Sequence, residues 1–185
     1  MGNRLKETGD DMTGHAVNLL THEEARARRD GLIALLIDAV DSGAGVSFVQ
    51  PMTRAKAEAF WDGVLASHAR GERLLFVAER DGEIDGTVQL IPAPQENQTF
   101  RADIAKMLVH RRARRMGLGA ALLAAAEREA LRLGRDLLTL DTVTGSAGEH
   151  LYARCGWTRF GVVPGYALMA DGQAREDATF FYKRL

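Results

Sequence analysis

The sequence predicts a single domain of the α/β or α+β class. A chain of 185 residues is long enough for one domain with its own hydrophobic core. Strand-like and helical segments alternate along it, and no internal repeat, low-complexity tract or linker divides it. We therefore expect a loose N-terminal tail over residues 1–14 and one domain over residues 15–185.

The first half contains five predicted segments. Residues 15–20 (HAVNLL) form a strand, and Thr21 with Glu24 makes a capping box that begins a helix ending near Val40. A second helix begins at Thr53 and ends near Gly71. Residues 74–79 and 86–91 are then two strands, joined by the Asp81-Gly82 turn because glycine takes the positive φ that such hairpins need.

The second half alternates strand and helix. Residues 102–109 and 137–143 are strands on either side of an amphipathic helix over 118–133. Ser146 and Glu149 predict a second capping box, which opens a short helix ending at Gly156. Strand-like stretches over 158–163 and 179–183 complete the domain.

Composition excludes several classes of protein. A net charge of -1 gives no overall affinity for nucleic acid, so any basic patch must be local. Cys155 is the single cysteine, which rules out an internal disulfide and a cysteine-rich zinc site. No segment approaches the ~20 apolar residues of a membrane span. We expect a cytoplasmic protein with no metal, no nucleic-acid partner and no membrane partner.

The segment RRMGLG, residues 114–119, joins a predicted strand to the long predicted helix. The first turn of a helix leaves N–H groups without partners and carries partial positive charge. Gly117 and Gly119 let a phosphate oxygen approach, which predicts a diphosphate site. Nearby arginines would add phosphate contacts: Arg111, Arg112, Arg114 and Arg115. The alternative is a solvated basic turn without a ligand.

Two common nucleotide motifs do not fit this segment. A Walker loop requires a lysine after its second glycine, and none follows here. A Rossmann fingerprint requires a third glycine where this chain has Leu122, and its helix follows the first strand of the fold. The predicted ligand therefore needs a different binding motif.

The residues from Arg114 to Gly119 resemble the R/Q-x-x-G-x-G/A signature of the GNAT family of N-acetyltransferases. A second segment, residues 150–157 (HLYARCGW), is similar to the family's later helix, which carries an aromatic residue and ends at glycine. The order of elements from residue 72 onward also matches. The resemblance implies a mixed, mostly antiparallel twisted sheet of six to seven strands, splayed at its centre and flanked by about four helices.

The same resemblance implies acetyl transfer from acetyl-coenzyme A to an amine without a covalent enzyme intermediate. The backbone around Leu108 and Val109 would meet the thioester oxygen. The full set of implied cofactor contacts is Met107, Leu108, Val109, Arg114, Arg115, Met116, Gly117, Leu118, Gly119 and Ala120.

Three side chains are candidates for the chemistry. Tyr152 matches the family's tyrosine that protonates the departing sulfur, and the alternative is a tyrosine that only packs on the sheet. Asp141 ends a buried strand, where it is either a general base or ammonium ligand, or a cap for the turn before Ser146. Asp103 is either a second acidic group or a solvated edge residue.

The predicted acceptor site contains Asp103, Lys106, Asp141 and Thr142. Strict strand alternation would put Lys106 on the opposite face from Asp103, so a bulge is needed to bring them together. Two carboxylates near one pocket would suit a cationic amine.

Finer likeness points to one subgroup. Residues 102–109, 140–146 and 164–172 resemble bacterial tabtoxin-resistance-type acetyltransferases. This implies a small-molecule amine acceptor, amino-acid-like or an antibiotic. A protein or peptide N-acetyltransferase and a non-catalytic coenzyme A-binding module are the alternatives. Family members often pair through their late strands, so a homodimer is a further expectation.

Overall fold

The computed structural model describes residues 9–10 and 14–185. The predicted tail over residues 1–14 therefore lies largely outside the described residues. Within it, Gly9–Asp10 forms a two-residue strand, β1, that pairs with the next strand.

The first half combines three helices with a hairpin. Strand β2 spans Ala16–Leu19 and the helices are α1 (His22–Ala27), α2 (Arg29–Asp41) and α3 (Arg54–Ala69). Strands β3 (Leu74–Arg80) and β4 (Glu83–Pro92) follow. Asp81 and Gly82 have φ of 53° and 81°, which confirms the predicted turn with two positive φ angles.

The second half carries the segments singled out by sequence. Its elements are β5 (Arg101–Val109), α4 (Leu118–Arg132), β6 (Leu137–Val143), α5 (Ala147–Arg154), β7 (Thr158–Leu168) and β8 (Arg175–Arg184). Single 3₁₀ turns occupy Glu96–Gln98 and Arg111–Ala113.

All described strands form one sheet in the order β1-β2-β3-β4-β5-β6-β8-β7. Every pairing is antiparallel except that of β5 with β6. That parallel pairing has three rungs, from Arg101 opposite Leu137 to Asp103 opposite Thr139. Beyond this point the two strands part, and the sheet opens at its centre.

Each face of the sheet has its own hydrophobic core. Helices α4 and α5 cover one face, where Ile104 and Leu140 are buried with Leu122. Helices α1, α2 and α3 cover the other face, where Leu36 and Trp61 are buried. We call this second side the α1–α3 face. The division decides which strand residues can meet in a site, because neighbours along a strand point to opposite faces.

The predicted fold class is confirmed, with two differences in its parts. The helix expected from Thr21 to Val40 is interrupted at Arg28, where φ is -96° and ψ is 6°. The Arg28 guanidinium reaches Glu79 on β3, with Nη2 2.8 Å from Oε1. This break gives five α-helices, and the short β1 brings the sheet to eight strands.

The second predicted capping box is only half formed. The Ser146 hydroxyl accepts a hydrogen bond from the Glu149 N–H at 3.2 Å, as expected. The Glu149 carboxylate, however, accepts from the N–H of Gly145, one residue before the cap. It also accepts a bond from Thr179 on β8 at 3.0 Å, which ties the start of α5 to the sheet.

Candidate active site

The parting of β5 and β6 leaves one edge of β5 without a partner strand. The Leu108 carbonyl lies 3.2 Å from the position that a Cβ on Gly86 would take, so the backbone polar groups of Leu108 point toward β4. The His110 N–H also bonds to β4, at the carbonyl of Asp85. Because backbone groups alternate between the two edges of a strand, the Val109 backbone faces the opening.

Helix α4 begins beside this opening with a glycine in the left-handed region. Gly117 has φ of 85° and ψ of -9°, and no side chain caps the helix. Within the described part of the chain, the N–H groups of Leu118 and Gly119 make no hydrogen bond. Open donors and the helix dipole together suit the diphosphate of coenzyme A.

The second glycine of the motif has a packing role. A Cβ on Gly119 would lie 2.7 Å from Cδ2 of Leu151 on α5, closer than real Cβ contacts. Gly119 therefore lets α5 approach the first turn of α4. The sequence interpretation assigned both glycines to the phosphate, and the structure adds this packing role for Gly119.

The arginines around the motif are mostly occupied by protein partners. The Arg111 guanidinium pairs with Asp38 on α2, and Arg112 Nε lies 2.5 Å from Oδ1 of Asp85. The expectation that these two contact phosphate is corrected, because acidic side chains from elsewhere in the fold already bind them.

The other two arginines stay close to the open helix start. Arg114 donates to the Ser42 hydroxyl and, from Nε at 3.3 Å, to the Val109 carbonyl. Arg115 is exposed, with φ of 63°, and its guanidinium has no partner among residues 9–10 and 14–185. Arg114 and Arg115 are therefore the arginines of this group that pair with no carboxylate in the described residues, and their charge is available to a phosphate.

A β-bulge in β5 changes the face on which Lys106 lies. Gln89 pairs with Ala105 and Thr87 with Leu108, so Lys106 and Met107 together stand opposite Val88. Lys106 has φ of 50°, an unusual value for a residue with a side chain. The bulge that the acceptor-site hypothesis required is present, and it brings Lys106 onto the α1–α3 face with Asp103.

The Lys106 ammonium supports the loop between α2 and α3. It donates to the Val46 carbonyl at 3.1 Å and to the Ser47 hydroxyl at 2.7 Å. It also lies 5.7 Å and 5.9 Å from the ring centres of Phe48 and Phe60. Burial lowers the pKa of Lys106, while the charge of Asp141 opposes that shift.

Asp141 lies on the α1–α3 face at the point where β6 has left β5. Its residue is exposed, yet neighbouring protein removes enough water to raise the pKa of its carboxyl group. Lys106 partly opposes this rise and Asp103 adds to it. A carboxylate with a raised pKa is a better proton acceptor than an ordinary surface aspartate.

Asp103 occupies the last paired rung before the sheet opens. Its Oδ1 accepts a hydrogen bond from Arg101 at 2.5 Å and another from the Thr139 hydroxyl. This carboxylate is therefore fixed and charge-compensated, in contrast to Asp141, which forms no ion pair in the described residues.

Tyr152 is buried on the face of the sheet that α4 and α5 cover. Its ring lies 6.0 Å from Trp157 and 5.9 Å from Phe181, measured between ring centres. The hydroxyl makes no hydrogen bond within residues 14–185. Burial raises the Tyr152 pKa well above its usual range, and the charge of Asp141 raises it further, so the phenol stays protonated.

The structure does not bring Thr142 together with the other predicted acceptor residues. Its side chain faces α5, where its hydroxyl lies 3.3 Å from that of Ser146. It is also 2.7 Å from the position of a Cβ on Gly148, which explains a glycine there. Thr142 thus lies on the opposite face from Asp141.

Two polar residues of the α1–α3 face were missed by sequence reasoning. Gln89 is fully buried on β4, and its Oε1 accepts a hydrogen bond from Arg73 at 2.7 Å. Arg73 also donates to Ser67 on α3 at 2.9 Å. A glutamine inside the apolar run TVQLI was the one signal available, since a buried strand seldom carries an amide without a partner.

This combination of a parted sheet and a helix that begins, without a side-chain cap, at a left-handed glycine is the architecture of an acyl-coenzyme A-dependent transferase. Residues 46–157 match the sequence model of the acetyltransferase (GNAT) family, and the chain belongs to that family.

Similar proteins agree with this assignment. An uncharacterized N-acetyltransferase from the hisH-hisA intergenic region of Azospirillum brasilense is 39% identical over 106 residues. The match covers 56% of this chain and 61% of that protein, less than two thirds of its length.

Two solved structures share the fold. The ribosomal-protein-alanine N-acetyltransferase from Brucella melitensis superposes with a TM-score of 0.72 at 23% identity, covering 91% of this chain and 99% of that one. The yncA protein from Salmonella typhimurium, solved with its cofactor acetyl-CoA, gives 0.73 at 18% identity, covering 92% and 94%. At these identities the likeness concerns the fold alone.

Two features are absent from residues 9–10 and 14–185. No helix there is long and apolar enough to cross a membrane. No group of three histidine, cysteine, aspartate or glutamate side chains there is placed to hold a metal ion.

Proposed function

We propose that the protein transfers the acetyl group of acetyl-coenzyme A to the primary amine of a small molecule, by direct attack within a ternary complex. The observation that carries this proposal is the opening between β5 and β6 beside the uncapped start of α4. An extended cofactor can place its diphosphate on the helix and its thioester in the opening. A cytoplasmic location and a homodimer stay predictions.

The cofactor site of the proposal has two parts. Residues 114–120 bind the diphosphate through the open N–H groups of α4 and the charge of Arg115. Residues 107–109 line the opening, where the Val109 N–H is placed to donate to the thioester oxygen. Negative charge develops on that oxygen during attack, so a donor there lowers the barrier.

Asp141 has the role of proton acceptor or ammonium ligand in this proposal. An aliphatic ammonium has a pKa near ~10.4 and must lose a proton before it can attack. A carboxylate on the acceptor side holds the cation and takes that proton, directly or through water. Asp103 contributes negative charge while it remains bound to Arg101.

Tyr152 has the role of donor to the departing sulfur. The amine nitrogen forms a bond to the carbonyl carbon, the carbon–sulfur bond breaks, and the thiolate takes a proton. The amine loses two protons overall, one to the thiolate and one to solvent. The Tyr152 pKa is well above that of a thiol, which is about 8.5. The phenol therefore first donates a hydrogen bond to the sulfur and then transfers its proton to the thiolate. A proton released by the amine replaces the one that Tyr152 has lost.

The loop between α2 and α3 favours a small acceptor over a peptide. Lys106 bonds to this loop at Val46 and Ser47. At its other end, the Gln50 N–H bonds to the Ala170 carbonyl in the β7–β8 turn at 2.7 Å. The loop thus lies across the acceptor side between two attachments, which narrows the space for a long chain.

Calorimetry with acetyl-coenzyme A, followed by a thiol-release screen, tests the proposal. The screen would cover amino acids, polyamines, aminoglycosides and short peptides. We expect micromolar cofactor binding and turnover with a small amine. Binding without turnover for any amine would favour a non-catalytic module, and turnover confined to peptides would favour a protein N-acetyltransferase.

A further inference from the structure

Three donor groups on the α1–α3 face have no anion to bind. Arg73 and Lys106 are partly buried cations, yet neither forms an ion pair in the described residues. Gln89 lies between them, since it binds Arg73 and stands opposite Ala105, next to Lys106. Its Nε2 is buried and has no acceptor. A buried amide donor without a partner is destabilising, because it has lost its hydrogen bond to water.

No carboxylate of the described residues pairs directly with Arg73 or Lys106. Glu72 acts on Arg73 through its charge, but its carboxylate is bonded to Arg70 and Ser67. Ser67 and Gln89 occupy two donor positions of Arg73, and both partners are neutral. Lys106 bonds to a carbonyl and a hydroxyl, which are also neutral. Asp141 affects Lys106 through its charge but forms no ion pair with it in the described residues.

The cofactor does not supply the missing anion either. The proposed diphosphate site is at residues 114–120, where α4 begins. Arg73 precedes β3 and Gln89 is inside β4, on the face covered by α1–α3. An anion bound here would therefore belong to the acceptor.

From this geometry we infer that the acceptor carries a carboxylate or similar anionic group, bound between Lys106 and Arg73, which also supplies the hydrogen-bond acceptor that Gln89 Nε2 lacks. This inference rests on the proposed function and narrows its substrate class to amino acids and related zwitterions.

The distances within the sheet fit such a substrate. Gln89 is on β4 and Asp141 on β6, two strands apart on one face. Paired strands lie ~4.8 Å apart, and β5 and β6 have parted here, so the two backbones are more than about 10 Å apart. Side chains extending from both strands shorten that span. An amine at Asp141 and a carboxylate at Lys106 would thus occupy opposite ends of one small molecule.

The central test replaces the buried amide with a carboxylate of the same shape. Gln89→Glu would give Arg73 and Lys106 an internal anion and exclude an external one. Gln95→Glu makes the same chemical change at an exposed position between β4 and β5 and is the matched control. Arg73→Gln is a second test that does not add a buried charge.

The acceptors would be L-alanine, L-leucine and 4-aminobutanoate, each with its amide and its decarboxylated amine. For the wild type and Gln95→Glu we expect kcat/KM for at least one free acid to exceed that of its amide by about tenfold or more. Gln89→Glu should abolish this preference and Arg73→Gln should reduce it. Which acid is preferred would distinguish an α-amino from an ω-amino acceptor.

A binding measurement separates this inference from the proposed function. Calorimetry of the coenzyme A-loaded protein with 4-methylpentanoate, which is leucine without its amine, should give binding that Gln89→Glu removes. Equal use of acids and amides, or anion binding unchanged by Gln89→Glu, would overturn the inference and leave acetyl transfer intact; a trapped water would then be the partner of Gln89. Failure to bind acetyl-coenzyme A would overturn both.

Discussion

Lys106 and Asp141 lie on the same face of the sheet because a bulge in β5 turns Lys106 toward the side to which β6 presents Asp141. The two charges influence each other without forming an ion pair in the described residues. A direct pair would neutralise both groups. Held apart, each can bind an oppositely charged part of a substrate.

Replacing Asp141 should change both catalysis and the pH dependence of stability. Asp141→Asn should lower kcat/KM by about 10²-fold or more, in the range of lost general-base catalysis. The raised pKa of Asp141 means that the fold disfavours its ionised form. Asp141→Asn should therefore stabilise the protein at neutral pH, and the gain should fade as pH falls through that raised pKa.

Rate profiles and thermal unfolding of the two proteins across pH 4–8 would check this. The wild type should lose activity toward acid pH as Asp141 is protonated. If the variant kept wild-type kinetics and stability at every pH, Asp141 would be only a residue of the turn before Ser146.

Removing the Tyr152 hydroxyl should affect turnover and leave the fold unchanged. The ring packs between Trp157 and Phe181, whereas the hydroxyl has no hydrogen bond in the described residues. We expect Tyr152→Phe to retain cofactor affinity and melting temperature while kcat falls by about 10–10²-fold, since donors to developing charge contribute at least this much.

Tyr152→Ala provides the contrast, because deleting a buried aromatic ring costs about 3–5 kcal/mol. Calorimetry, melting curves and steady-state kinetics on the same preparations separate the two roles. Unchanged kcat in Tyr152→Phe would leave packing as the function of this residue.

Gly117 should be indispensable for cofactor binding. A non-glycine residue in the left-handed region costs about 1–2 kcal/mol, and Gly117→Asp also adds a negative charge where the diphosphate is expected. We expect calorimetry to show at least about a 10²-fold loss of acetyl-coenzyme A affinity. Gly63→Ala inside α3 is the control: it should stabilise the helix by up to about 1 kcal/mol without altering binding.

The effect of a Gly119 substitution on stability should depend on Leu151, in addition to any effect on cofactor binding. Gly119→Ala forces a Cβ against the Leu151 side chain and should destabilise the protein by about 1–3 kcal/mol. In a Leu151→Ala background the same substitution should cost little, because the obstructing methyl group is gone. Urea unfolding of the four proteins measures this coupling, and strictly additive effects would contradict the packing role.

Hydrophobic periodicity predicted the helices and strands well where the spacing of apolar residues within a segment matches the face that is buried. The bounds of β6 were predicted to the residue, and α4 differs by one residue at its end. Local turn chemistry was equally informative at Asp81-Gly82. These signals are local, because hydrophobic spacing and backbone preference act within a few residues.

Features that depend on distant partners were not readable in the same way. The sequence predicted Arg111 and Arg112 as phosphate ligands, because it does not show that tertiary packing brings Asp38 and Asp85 beside them. Ile104 is buried in one core and Leu108 in the other. The two residues are four positions apart, a spacing that places both side chains on the same face of a regular strand, so the strand needs the bulge at Lys106. Only the folded sheet reveals that conflict.

The three-rung contact between β5 and β6 has a consequence for the stability of the folded protein. Acetyl-coenzyme A bound in this opening, as proposed above, would stabilise the folded form by about 2.7 kcal/mol at a hundred times its dissociation constant. The resistance of the protein to unfolding should then rise with the concentration of acetyl-coenzyme A.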